Sequence, residues 1–111
     1  MAKSVAAQGE PGMYGLISKL TTGEGKRDAV LEILLQDVGP MPGCLSYVVA
    51  KDPADPDAIW ITEVWDSQES HTESLKNPAV QSAIDRTRPM IASFGEHFVT
   101  TPVGGHGLHT L

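Results

Sequence analysis

Basic side chains are scarce in this chain: eight Lys and Arg stand against fourteen Asp and Glu, for a formal net charge of −6. A deficit of that sign argues against nucleic acid and against anionic membrane surfaces, because both recruit clustered cations. Cysteine is nearly absent, with Cys44 the single one. No intrachain disulfide can form, and the usage fits a reducing compartment. Long hydrophobic runs are missing as well. None approaches the ~20 residues of a membrane-spanning helix, and residues 1–12 hold no apolar stretch of signal-peptide length. These gaps predict a cytoplasmic protein with no nucleic-acid or membrane partner. No Cys pair, no HExxH, no GxSxG elbow and no phosphate-binding glycine fingerprint occurs.

What is present is ordinary globular usage. The chain has 111 residues, of which 41% are hydrophobic and 20% charged. That is one domain with enough apolar side chain for a core of its own. We read residues 1–12 as a leader, 13–102 as the domain and 103–111 as a tail. The leader lacks periodicity and is expected to be mobile. Alternation predicts strands over 13–21, 44–51, 58–65 and 96–101, the last ended by Pro102. A helix is predicted over 26–38, where Val30, Leu31, Leu34, Leu35 and Val38 make one apolar face. Gly39 stops it and Pro40 prevents restart. Asp66 or Ser67 caps a short helix. Asn77-Pro78 opens another, running to about residue 93 with Val80, Ala83, Ile84, Thr87, Ile91 and Phe94 inward and a kink at Pro89.

The order β-α-β-β-α-β is the split βαβ arrangement, a ferredoxin-like α+β fold with an antiparallel sheet and helices on one face. Both faces of the second and third strands carry apolar side chains. Leu45, Tyr47 and Val49 oppose Ser46, Val48 and Ala50, and Ile59, Ile61 and Trp65 oppose Trp60, Thr62 and Val64. One face meets the helices. The other needs a cover, and the simplest is the same face of a second copy about a twofold axis, with the tail docking on the partner.

The stretch 63–71 carries the most chemistry. Glu63 and Trp65 share a face by the period of two, and His71 lies one turn into a capped helix. If that face lies under the helices, a carboxylate, an indole and an imidazole line one cavity. Plain core packing is the simpler reading of Trp65 alone, and ion pairing or surface exposure that of Glu63 and His71. Arg86 and Arg88 precede Pro89, where they suit either an anionic ligand or pairing with Asp85 and Glu96. His97, His106 and His109 are not expected to bind metal, because a glycine-rich tail fixes no ligand geometry.

Tyr14-Gly15-Leu16-Ile17, the turn 41–44, Glu63-Val64-Trp65, the segment 71–75, Asn77-Pro78-Ala79-Val80, Arg88-Pro89-Met90-Ile91 and the segment 101–107 together resemble the antibiotic biosynthesis monooxygenase family. The dimeric ferredoxin-like oxygenases of that family include quinol monooxygenases. The likeness spans 14 to about 107. It implies a homodimer of the dimeric α/β-barrel type and a monooxygenase that needs no cofactor, acting with O2 on a quinol-like or polycyclic phenolic ring. The roles it implies are His71 and Glu63 as catalytic residues taking or holding the proton, Trp65 packing the ring, and Arg86 partnering an oxyanion. Many relatives carry a histidine nine residues beyond the tryptophan, where this chain has Ser74. The heme-degrading branch uses asparagine, tryptophan and histidine at positions that here read Ser18, Ser74 and Ile84. The alternative is a non-catalytic dimer that binds a small aromatic ligand.

Overall fold

The computed structural model describes residues 12–36 and 41–108. The leader up to residue 11, the helix stop at Gly39-Pro40 and the last three tail residues, His109 among them, lie outside the described residues. The chain runs β1 (Tyr14–Thr22), α1 (Arg27–Gln36), β2 (Cys44–Lys51), β3 (Ala58–Trp65), α2 (Gln68–Ser74), α3 (Pro78–Thr87), a 3₁₀ turn (Arg88–Met90) and β4 (Ile91–Thr100). The four strands form one antiparallel sheet in the order β2-β3-β1-β4. This is the ferredoxin-like α+β arrangement expected. No described helix is long and apolar enough to cross a membrane.

Burial follows the strand period. Leu16 and Leu20 of β1 and Ile59 and Trp65 of β3 are buried, with Val30 of α1 and Ala83 of α3 over them. Leu20, Val30 and Ile59 form the centre, and Leu31, Leu34, Val49, Ile61, Met90 and Ile91 pack around it. Leu35 departs from the expected inward face and is exposed. Five residues beyond Val30 it has turned about 140° away from it, past the edge of the stripe.

Local chemistry fixes the ends of the elements. Ser67 Oγ accepts from the Ser70 amide at the start of α2, and Asn77 Oδ1 accepts from Ala79 at the start of α3, with Pro78 at the first helical position. Gly43 has φ 85°, and a Cβ there would collide with Ser70 and Asp66. Glycine therefore lets the 41–44 turn close against the start of α2. In the β2–β3 hairpin, Asp52 Oδ1 accepts from the amides of Ala54 (2.8 Å) and Asp55 (3.0 Å). Arg27 donates to the Asp55 carbonyl at 2.8 Å, tying α1 to that hairpin.

The third helix corrects the sequence reading. It does not kink at Pro89 and continue to residue 93; it ends at Thr87, and β4 starts at Ile91 rather than 96. Proline at 89 has no N–H for the Asp85 carbonyl, and its ring opposes that oxygen. Ile91 is already extended (φ −93°, ψ 123°). Its helical spacing from Thr87 was coincidental: Ile91 and Phe94 are strand residues paired with Thr22 and Leu20. Gly95, expected to end the helix, lies inside β4, where the pairing with β1 shifts register between Ser18 and Leu20.

The helix-free face of the sheet carries a row across all four strands. Val48 pairs with Thr62, Thr62 with Ile17, and Ile17 with Phe98. Val48 and Phe98 are both more than half exposed.

Candidate functional site

The hairpin register decides what stands beside Trp65. Its neighbours across the sheet are Tyr14 on β1 and Cys44 on β2. Its side chain is only 1% exposed, turned toward the helices. Two residues earlier on the same face, Glu63 accepts a hydrogen bond from the Trp65 indole, Nε1 to Oε1 at 3.0 Å. The chain then leaves β3, is capped by Ser67, and within one turn of α2 returns His71 over the strand end. His71 Nε2 lies 4.0 Å from the same Glu63 oxygen. That is an ion-pair distance and not a hydrogen bond.

Two rings hold the imidazole. Tyr14 lies 5.6 Å away between centroids, tilted at 40°, and Trp65 meets it nearly edge-on at 5.5 Å and 67°. From below, the Ser74 hydroxyl donates to the His71 carbonyl at 2.6 Å.

Glu63, Trp65, His71 and Ser74 line the polar end of a cavity of about 210 Å³ between the sheet and the helices. Its remaining walls are mainly apolar, with Leu34, Met41, Leu75, Val80, Ala83 and Ile84 among them. Tyr47 completes the polar end, directly across the β2–β3 ladder from Glu63. Burial, then the charges of Glu63 and Cys44, pushes its phenol up to about 12. The Cys44 thiol is likewise pushed up, by burial first and Glu63 second, which keeps it protonated and a poor nucleophile.

Of the residues singled out from sequence, Glu63, Trp65 and His71 meet in this cavity. Arg86 does not join them: it sits exposed on α3 and is not among the lining residues. His97 shares a hydrogen bond with Ser18 at 3.0 Å on the exposed edge strand, and His106 lies exposed in the tail. Among the described residues no three His, Cys, Asp or Glu side chains are placed to hold a metal ion. Sequence reasoning missed Tyr14 and Tyr47. Tyr47 was placed with Leu45 and Val49 on one face, but its neighbour across the ladder depends on the irregularity between Cys44 and Ser46, which no local pattern marks.

The chain is similar to known proteins over most of its length. The family model described as antibiotic biosynthesis monooxygenase matches residues 13–86. A Chloroflexus aurantiacus structure, given as a candidate antibiotic biosynthesis monooxygenase, is 62% identical with a TM-score of 0.84, covering 86% of this chain and 98% of that one. A Caulobacter crescentus structure of the same description is 17% identical with a TM-score of 0.75, covering 89% and 97%. A Pseudomonas aeruginosa structure, also 17% identical, has a TM-score of 0.74 and covers 86% and 100%. The last two show the fold alone. No curated protein matches.

Proposed function

The chain belongs to the antibiotic biosynthesis monooxygenase family, and from that premise we propose that it oxidises a quinol-like or polycyclic phenolic ring with O2, without a cofactor. The observation that carries the reading is the meeting of Glu63, Trp65 and His71 at one end of an apolar cavity. Trp65 supplies a flat wall for the ring. A substrate hydroxyl donating to His71 Nε2 would stand beside the Glu63 carboxylate, 4.0 Å from that nitrogen. His71 takes its proton, and the Glu63 carboxylate holds the imidazolium that results.

Dioxygen is a triplet and reacts slowly with closed-shell molecules. Deprotonation makes the ring electron-rich enough to pass one electron to O2, and the two radicals combine at a ring carbon as a hydroperoxide. Loss of water leaves one oxygen atom on the ring in place of a hydrogen. For a hydroquinone the products are a hydroxyquinone and water, and the substrate supplies all four electrons. The protein's part is a water-poor cavity, a base and a charge partner.

The family assignment and the open sheet face also support a homodimer. The row Val48, Thr62, Ile17 and Phe98 is what a second sheet would cover. Val103, 93% exposed at the start of the tail, suits docking on the partner. Sedimentation at low micromolar concentration should give about twice the chain mass of 11.8 kDa, and Phe98→Asp should halve it. Removal of residues 103–111 should weaken the dimer.

Oxygen uptake over a panel of hydroquinones and naphthoquinols tests the activity. Uptake that falls with His71→Ala supports it. Ring binding, read by tryptophan fluorescence, without uptake from any of the panel would favour a non-catalytic binder. Neither binding nor uptake would overturn both.

A further inference from the structure

Four side chains bring a ring or carboxylate with a polar atom to one end of the cavity, and three already have work there. Trp65 donates to Glu63, Glu63 accepts from it, and His71 faces the same carboxylate. Tyr47 is the fourth. Among the described residues no group hydrogen-bonds its hydroxyl, yet no buried polar side-chain atom is left unpaired. The hydroxyl is therefore not sealed in the protein but reaches free space. A ligand that fills that space must offer an acceptor or leave the phenol unpaired.

The charge of the surroundings says which acceptor. Among the described residues no Lys or Arg lines this cavity, and a carboxylate does. A carboxylated, sulfonated or phosphorylated ring would meet Glu63 with no cation to offset it. Tyr47 also stays a donor, and cannot serve as a base, throughout the neutral range, since burial holds its phenol up to about 12. Tyr47 and Glu63 are paired residues of adjacent strands, so the sheet and not a mobile loop holds their backbones side by side.

We propose that Tyr47 is the specificity-determining residue of the cavity, donating to a second, neutral oxygen of a ring whose first oxygen lies between Glu63 and His71. The quinol-like ring proposed above is then bound uncharged and in one orientation. Trp65 packs its face while Tyr47 and the Glu63–His71 pair hold its two ends. This role rests on the reading of the cavity as a site for an aromatic ring.

Anaerobic titration of wild type and Tyr47→Phe with 1,4-naphthoquinol and 1-naphthol tests it, with thermal melts confirming that the variant is folded. Tyr47→Phe should bind 1,4-naphthoquinol about tenfold more weakly and 1-naphthol within about twofold of wild type. A sulfonated naphthoquinol should bind wild type at least about tenfold more weakly than its parent, and Glu63→Gln should narrow that gap. Equal loss for both rings, or no loss for either, overturns the assignment to Tyr47 while leaving the aromatic site standing. Failure of wild type to bind any of the rings overturns both.

Discussion

Strand β3 carries two tryptophans five residues apart, so the pleat sends them to opposite faces of the sheet. Each donates its indole N–H to a carboxylate, Trp65 to Glu63 at 3.0 Å and Trp60 to Asp52 at 2.8 Å. The pairs look alike and are not. Asp52 also accepts from the amides of Ala54 and Asp55, and Lys19 stands 3.7 Å from it and 5.6 Å from the centre of the Trp60 ring. Its acceptor capacity is taken up by the hairpin it closes. Glu63 takes one hydrogen bond, from Trp65, and otherwise faces an imidazole at 4.0 Å across an apolar cavity. A saturated carboxylate builds a loop. One left with spare lone pairs beside a base and an empty space has capacity for a ligand.

The largest effect expected comes from the cavity side. Trp65 is among the largest fully buried side chains, so it is core as well as cavity wall. Trp65→Ala should cost about 3–5 kcal/mol in chemical denaturation. Trp60, half-buried on the open face, should cost clearly less on truncation; equal costs would erase the contrast between the faces. Trp65→Phe keeps most of the bulk and removes only the indole donor. It separates the two roles: stability largely retained with weakened turnover places the value of Trp65 in orienting Glu63.

Next in size is the base. His71→Ala should lower turnover by about 10²-fold or more while the dissociation constant of the ring changes little. Loss of binding in step with turnover would make His71 a wall and not a base.

Much of this geometry was legible because its causes are local. A period of two puts Glu63 beside Trp65, and the Ser67 cap sets where α2 begins and so brings His71 back within one turn. The element order followed from the same alternation and from the Asn77-Pro78 helix start. What was not legible depends on pairing at a distance. The helical spacing through Ile91 and Phe94 hid the start of β4, because three- and four-residue spacings also occur by chance in an apolar edge strand. The Trp60–Asp52 pair needs the hairpin to fold back on itself, and Tyr47 stands opposite Glu63 only because of the irregular pairing near Cys44.

A smaller and pH-dependent effect is expected at Asp52. The Trp60 indole, then the Ala54 and Asp55 amides, hold its carboxyl down at about 2, from an ordinary 3.8. A depressed folded-state value means the ionised form favours folding. The contribution is therefore full above about pH 4 and is lost as pH falls toward 2. Urea midpoints of wild type and Asp52→Asn should differ most at pH 5 and converge by pH 2. A difference that persists unchanged at pH 2 would mean Asp52 acts by shape rather than by charge.

The smallest effect should come from Arg86. Val80, Ala83, Ile84 and Thr87 of α3 line the cavity, at the three- and four-residue spacing of one helix face. Arg86 is three residues from Ala83 but only one from Thr87 and two from Ile84. At 100° per residue it points about 110° from the centre of that face. The side chain is correspondingly exposed. A guanidinium on that exposed face contributes little to an oxyanion formed on the other side of the helix. Arg86→Ala should leave stability within about 0.5 kcal/mol of wild type and oxygen uptake within about twofold. A tenfold loss of uptake with stability unchanged would show that Arg86 reaches the ring from the helix edge. The negative charge formed on the substrate would then need a cation beyond the cavity wall, and the Glu63–His71 pair would no longer suffice to account for the site.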